Sequence, residues 1–138
     1  MTTADTALAP PVKSRVTLAM ILTALGAALG GLLFGFDTAV ISGATSALQE
    51  RFTLSEGALG FTVASALIGT VIGSLVSGWP SDRYGRRPML LVVAICYVVS
   101  SLGTGLAPDW YSLLAFRFLG GLAIGAASVV TPIYIAEV

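Results

Sequence analysis

Residues 16–43 read VTLAMILTALGAALGGLLFGFDTAVISG, and this apolar run decides the class of the protein. It carries one charged side chain, Asp37. A helix needs about 20 apolar residues to cross a hydrocarbon core of roughly 30 Å. A secretory signal peptide has an apolar core of only about 7–15 residues, so the run favours a membrane-spanning helix.

Three more apolar runs follow, and each is close to the length of a membrane span. All are rich in leucine, alanine, isoleucine, valine and glycine. The strands of a membrane barrel would show about 10 residues of alternating polarity, a pattern that these runs lack. We therefore expect an all-α integral membrane fold. Its four transmembrane helices are predicted at residues 16–43, 57–79, 88–106 and 111–135.

The residues between the runs supply helix boundaries. Thr53 and Glu56 fit a capping box before the second helix. Pro88 suits the first turn of the third helix, where its missing N–H costs nothing. Trp110 and Tyr111 suit a membrane interface at the start of the fourth helix.

The composition excludes several classes of protein. Hydrophobic residues make up 56% of the 138 residues and charged residues 10%, compared with about 25% charged in soluble domains. The formal net charge is zero, so no basic patch indicates nucleic-acid binding. There is no histidine, and Cys96 is the one cysteine. A disulfide within the chain and histidine-based catalysis are therefore excluded, and the sequence has no pattern typical of a metal site. We expect neither an enzyme nor a cofactor.

Positive charges lie on one side of the predicted topology. Lys13 and Arg15 precede the first helix, three arginines separate the second and third, and the other loops carry mixed or acidic charge. The positive-inside rule therefore predicts a multi-pass protein of the cell membrane with a cytoplasmic N-terminus. Residues 1–15 are predicted to form a disordered cytoplasmic tail.

Asp37 in the first helix and Arg117 in the fourth are charges inside apolar runs. Such a charge costs about 2.5–3.5 kcal/mol at a helix centre, so it usually faces a partner or a water-filled cavity. Each residue lies six positions from the expected outer end of its helix, at Gly43 or Tyr111. Both are therefore about 9 Å deep at 1.5 Å per residue. We predict that they form an ion pair if the two helices are neighbours.

Two roles fit such a pair. Ionised Asp37 would attract Arg117, and protonated Asp37 would release it. Pairing favours the charged acid whereas desolvation opposes it, so proton uptake would depend on whether the site faces water. The alternative is a static pair that joins two helices. The usual role of ionisable groups inside membranes favours the functional interpretation.

An arginine-rich loop, GWPSDRYGRRP at residues 78–88, joins the second and third helices. Gly85 suits a left-handed turn that other residues resist. Arg83 would interact with the negative C-terminal end of the second helix, and Asp82 would accept hydrogen bonds from that arginine or from backbone N–H groups. A simple topological anchor would need positive charges alone, so the acid and the glycine indicate a more specific structure.

Glycines spaced four residues apart lie on one face of a helix and allow close crossings in membranes. In the fourth helix the pair is Gly121 and Gly125, and we expect both glycines to have a structural role in helix packing. The pairs are Gly26 and Gly30, Gly31 and Gly35, Gly69 and Gly73, and Gly121 and Gly125.

Three of these segments resemble the sugar porter family of the major facilitator superfamily: residues 30–43, 82–87 and 117–137. The arginine loop is shared across the superfamily, whereas the other two segments are more specific to sugar porters. The resemblance implies a twelve-helix fold in two pseudo-symmetric halves, with substrate held between them. The chain would be the first part of a longer transporter. Its partners would be the remaining helices, a sugar, protons and the lipid bilayer.

The resemblance also implies roles for the matched residues. Asp37 would be the proton-binding carboxylate, Arg117 its partner, and Phe34 would face the sugar. Facilitative members tend to carry a neutral residue at the position of Asp37, so the acid favours symport. A cytoplasmic charge network would stabilise the outward-facing state, and its members would be Asp82, Arg83, Arg86, Arg87 and Glu137.

Two other interpretations are compatible with the sequence. A major facilitator transporter for an organic acid or a drug would share most of these segments, because the substrate is chosen mainly by helices beyond them. A four-helix membrane protein that works as an oligomer would instead end naturally at residue 138. The reading frame beyond Val138 distinguishes the two architectures.

Overall fold

The computed structural model describes residues 18–137 and confirms the predicted all-α fold. Four of its helices are long and apolar enough to cross a membrane. The predicted disordered tail at residues 1–15 lies outside the described residues. The helices are α1 (Leu18–Phe52), α2 (Glu56–Val76), α3 (Gly78–Tyr84), α4 (Arg86–Leu106) and α5 (Trp110–Glu137).

The first helix is longer than the sequence analysis predicts, because α1 ends at Phe52 instead of near Gly43. The extra turns contain alanine, leucine, glutamine, glutamate and arginine, which are good helix formers, and no proline interrupts them. The 35 residues of α1 span about 52 Å at 1.5 Å per residue, more than the hydrocarbon core of roughly 30 Å. A helix of this length tilts or extends past the apolar layer.

The capping box predicted from Thr53 and Glu56 is wrong. Ser55 caps α2, because its hydroxyl accepts a hydrogen bond of 3.3 Å from a backbone N–H in the first turn. Thr53 closes α1 instead: its φ of 50° is left-handed, and the N–H of Leu54 donates to the carbonyl of Gln49 at 3.2 Å. This bond spans six residues and is a common way for a helix to end.

The arginine-rich loop is mostly helical. The second membrane helix ends at Val76 instead of at the predicted Trp79, and Trp79 lies in α3. Gly85 separates α3 from α4 with a φ of 91°, in the region that glycine adopts without steric cost. This turn allows α4 to begin at Arg86, with Pro88 in its first turn.

The two ends of α5 have different local structure. At its start, Asp109 accepts hydrogen bonds from the N–H of Ser112 at 3.3 Å and from the Ser112 hydroxyl at 2.7 Å. These bonds lower the pKa of Asp109 because they favour its ionised form. Near its other end α5 contains Pro132, which has no N–H to donate to the carbonyl of Ser128.

The central element is α5, which packs against α1, α2 and α4. Its contact with α2 is between backbones: a Cβ placed on Gly121 or Gly125 would fall on a backbone carbonyl of α2. A Cβ on Gly69 or Gly73 of α2 would meet the backbone of α5 in the same way. The absence of side chains at these four positions therefore sets the distance between the two helices.

The glycines of α1 have different surroundings. A Cβ placed on Gly30, Gly31 or Gly35 would have no heavy atom of the described chain within 4 Å, beyond its own local backbone. A Cβ on Gly26 would lie 3.4 Å from the side chain of Ile135, an ordinary contact. Within residues 18–137, the glycine spacing of α1 does not form a backbone-to-backbone crossing.

We predict that Gly125→Ala destabilises the bundle, because its Cβ would overlap the Thr70 carbonyl and force α2 and α5 apart. Overpacking of this kind costs about 1–3 kcal/mol. Gly30→Ala is the matched control, and its better helix propensity should add about 0.5–1 kcal/mol. Unfolding of the purified chain in a mixed-detergent titration measures both. Equal effects of the two substitutions would show that the missing side chain at Gly125 does not set the distance between α2 and α5.

We predict that Thr53→Gly stabilises the chain. A left-handed conformation costs an L-residue about 1–2 kcal/mol, so the glycine variant should gain on the order of 1 kcal/mol. Thr45→Gly, in the interior of α1, should instead lose a few tenths of a kcal/mol. The same detergent titration measures the difference. A loss of stability in Thr53→Gly would show that the Thr53 side chain, which donates to the Phe52 carbonyl at 2.8 Å, matters more than the strain.

Candidate functional site

Asp37 of α1 and Arg117 of α5 lie opposite each other inside the bundle. Their closest atoms, Arg117 Nη2 and Asp37 Oδ2, are 3.6 Å apart. The Arg117 side chain is 5% exposed and that of Asp37 is 36% exposed. A separation of 3.6 Å is too long for a hydrogen bond, so the contact is an ion pair without a direct N–H···O bond.

Arg117 is also held by α2. Its Nε donates to the backbone carbonyl of Thr62 at 3.1 Å. Thr62 is fully buried, and its hydroxyl accepts a hydrogen bond of 2.8 Å from the indole N–H of Trp110. The hydroxyl proton of Thr62 is donated to the carbonyl of Ala58, also at 2.8 Å. The two oxygens of Thr62 therefore bind two different side chains of α5.

Sequence reasoning missed Thr62. A threonine in an apolar helix often donates to a carbonyl of the preceding turn, so its presence indicates no particular partner. Its bond to Arg117 also uses the backbone carbonyl, which every residue has. The close α2–α5 contact is what places this carbonyl beside the guanidinium.

A cavity of about 350 Å³ adjoins the ion pair between α1, α4 and α5. Asp37, Arg117 and Tyr97 contribute to its wall. Arg51 also lines the cavity, and its Nη2 donates to the carbonyl of Ala107, at the end of α4, at 3.4 Å. The wall therefore includes two arginines and one aspartate, and it also contains Ser100, Ser101 and Thr104.

Phe34 lines a different cavity, of about 680 Å³. Most of that wall consists of apolar side chains and glycines of α1, α4 and α5. Tyr97 lines both cavities, whereas Asp37 lines the smaller one. The structure therefore places the predicted sugar contact and the predicted proton site in neighbouring cavities.

A second charge cluster joins α3, α4 and the end of α5. Arg86 forms ion pairs with Asp82 and with Glu137, and its Nη2 lies 3.0 Å from Glu137 Oε1. Its Nε also donates to the Glu137 carboxylate at 3.2 Å, so two N–H groups of one guanidinium bind one acid. Nη1 donates to the buried hydroxyl of Ser81 at 3.1 Å. Sequence reasoning did not identify Ser81.

Two residues predicted for this network lie apart from it. Arg83 is in the last turn of α3, with its guanidinium 5.7 Å from the ring centre of Trp79 in a cation–π contact. It is therefore at the C-terminal end of α3, not of the second membrane helix as predicted, and Asp82 pairs with Arg86 instead. Arg87 is exposed and forms no ion pair among residues 18–137.

Comparison with known proteins agrees with this architecture. The sequence profile of the family described as "Sugar (and other) transporter" matches residues 23–138. The chain is 43% identical over 129 residues to the glucose transport protein of Synechocystis sp.. It is 42% identical over 139 residues to the D-xylose-proton symporter of Escherichia coli (strain K12). These matches cover 93% and 82% of the chain, and it spans 28% of each relative.

The fold matches a solved structure of the same group. The xylose transporter of Escherichia coli, in a partially occluded inward-open conformation, superimposes with a TM-score of 0.73 and 39% sequence identity. The comparison covers 86% of this chain and 33% of that one. The helices and these relatives indicate a multi-pass membrane protein. The resemblance inferred from the sequence is confirmed, and the chain belongs to the sugar (and other) transporter family.

Proposed function

We propose that this chain forms the first membrane helices of a longer transporter that moves a sugar together with a proton across the cell membrane. The names of its relatives, which include a D-xylose-proton symporter and an arabinose-proton symporter, support sugar and proton as substrates. The observation that carries the proposal is the ion pair of Asp37 and Arg117 within membrane helices. Ionisable groups at such depth usually mark an ion or proton pathway.

Asp37 is the proposed proton-binding group. A guanidinium stays charged under all physiological conditions, so Arg117 provides a fixed charge while the acid titrates. Water can reach the carboxylate through the 350 Å³ cavity, since the Asp37 side chain is 36% exposed. Protonation would remove its attraction to Arg117. That loss would free α1, in which Ile41 is the one buried residue among the described side chains.

The remaining residues have proposed roles at two other places. Phe34 would contact the sugar from the larger cavity, while the remaining helices supply most of the substrate contacts. The cluster of Arg86, Asp82 and Glu137 would close the cytoplasmic end in the outward-facing state, because it ties α3 and α4 to the end of α5. This assignment places the N-terminus in the cytoplasm, on the side of the arginine-rich segment.

We predict that Asp37→Asn in the complete protein abolishes proton-driven accumulation of sugar, because a neutral amide cannot bind and release the coupled proton. Uptake of labelled xylose, arabinose and glucose into vesicles, with and without an imposed proton gradient, measures this. Exchange of sugar without a gradient should continue. Glu50→Gln, an exposed acid on the same helix, is the control and should keep full coupling. Accumulation that survives in Asp37→Asn would refute the proposed role.

We predict that Arg86→Gln lowers uptake several-fold and that Arg87→Gln leaves it near the wild-type rate. The two arginines are adjacent, yet only Arg86 binds Asp82 and Glu137 among the described residues. Labelling of a cysteine introduced at the cytoplasmic end should become faster in Arg86→Gln, because that end opens more often. If both substitutions reduce uptake equally, the cluster does not act as proposed.

A further inference from the structure

Trp110 has a polar contact that an interfacial aromatic residue does not need. Tryptophan at the end of a membrane helix ordinarily lies at headgroup level with its N–H toward water. Here the residue is partly buried, and its indole N–H donates to the Thr62 hydroxyl at 2.8 Å. The bond joins the first turn of α5 to a fully buried residue of α2.

The same residue of α2 also holds Arg117. Trp110 and Arg117 are seven positions apart, about two turns at 3.6 residues per turn, so they share one face of α5. The Thr62 hydroxyl binds the first and the Thr62 carbonyl binds the second. Arg117 makes a hydrogen bond of 3.1 Å to α2 but only a 3.6 Å contact to Asp37 of α1. Its guanidinium is therefore anchored on α2.

We propose that the hydrogen bond between Trp110 and Thr62 positions Arg117, holding its guanidinium on α2 and keeping it from closing onto Asp37. Trp110 and Thr62 are positioning residues that act through Arg117 and do not contact the substrate. The importance of this arrangement for proton coupling rests on the proposed function.

The expected effect of losing the bond has a definite sign. Without it, the outer turns of α2 and α5 can separate, which weakens the bond between the Thr62 carbonyl and Arg117. The guanidinium would then approach Asp37 toward the 2.7–2.9 Å that is typical of a charge-assisted hydrogen bond. A closer positive charge favours the ionised acid, so Asp37 would take up its proton at lower pH. For this change of distance the shift is on the order of one pH unit.

Other charged and titratable groups near Asp37 are few in the described part of the chain. Tyr97 of α4 and Arg51 of α1 line the same cavity, and Arg117 of α5 forms the ion pair. The one titratable side chain of α2 is Glu56, which is exposed in its first turn. Arg117 is thus the group whose movement should dominate the titration.

The test uses the complete protein in detergent and four single variants. Thermal unfolding is measured over a range of pH for each variant and for its double mutant with Asp37→Asn. The difference between the two curves isolates the transition that depends on Asp37. We expect Trp110→Phe and Thr62→Val to lower its midpoint by about one pH unit. Thr62→Ser keeps the hydroxyl and should restore the wild-type midpoint, and Trp79→Phe is the control for loss of a tryptophan.

Four results would overturn the proposal. The midpoint could be unchanged in both Trp110→Phe and Thr62→Val, or could rise. It could shift in Thr62→Ser as far as in Thr62→Val, or the wild type could show no transition that depends on Asp37. If Trp110→Phe does not fold, the comparison of Thr62→Val with Thr62→Ser decides. This readout does not use transport, so a wild type without sugar uptake would refute the proposed function alone.

Discussion

A guanidinium that cannot lose its charge inside an apolar layer is the constraint around which this bundle is organised. Placing Arg117 there is costly unless its N–H groups and its charge are satisfied by protein. The structure satisfies it from two directions: the Thr62 carbonyl of α2 accepts a hydrogen bond, and Asp37 of α1 supplies the opposite charge. Three helices therefore meet at one side chain. Loss of either contact leaves the guanidinium held by only one neighbouring helix.

The close backbone contact between α2 and α5, which we call the glycine seam, makes this arrangement possible. It is formed by Gly69, Gly73, Gly121 and Gly125. A backbone carbonyl can reach a side chain of the next helix only if the two helices are very close, and side chains at Gly69 or Gly121 would prevent that approach. Arginine is suited to the position because its planar fork can bind groups on two helices at once. The hydrogen bond that stabilises the Arg117 charge therefore depends on the close backbone packing of α2 and α5.

The sequence predicts the charged pair well and its surroundings poorly, for a physical reason. Charges within apolar runs are expensive, so Asp37 and Arg117 stand out in the sequence. Counting from the expected ends at Gly43 and Tyr111 gives similar depths and the correct pairing, although α1 continues beyond Gly43 to Phe52. Thr62 and Ser55 carry no such signal, because hydroxyl groups bond to many nearby backbone groups. The choice between Arg86 and Arg87 depends on the direction in which each side chain leaves α4. That direction follows from the turn at Gly85, where α4 begins. Because both residues are arginine, their identities do not predict which of them binds Asp82 and Glu137.

One consequence follows from the proline in α5. Arg117 and Glu137 are on the same helix, about 30 Å apart at 1.5 Å per residue, with Pro132 between them. Because the ladder of backbone bonds is interrupted there, the last turn and a half of the helix is mechanically softer than the part bearing the glycine seam. The terminal segment can tilt by bending at Pro132, while Gly121 and Gly125 keep their contacts with α2. Motion of the C-terminal end of α5 is therefore only weakly transmitted to Arg117, although both lie on the same helix.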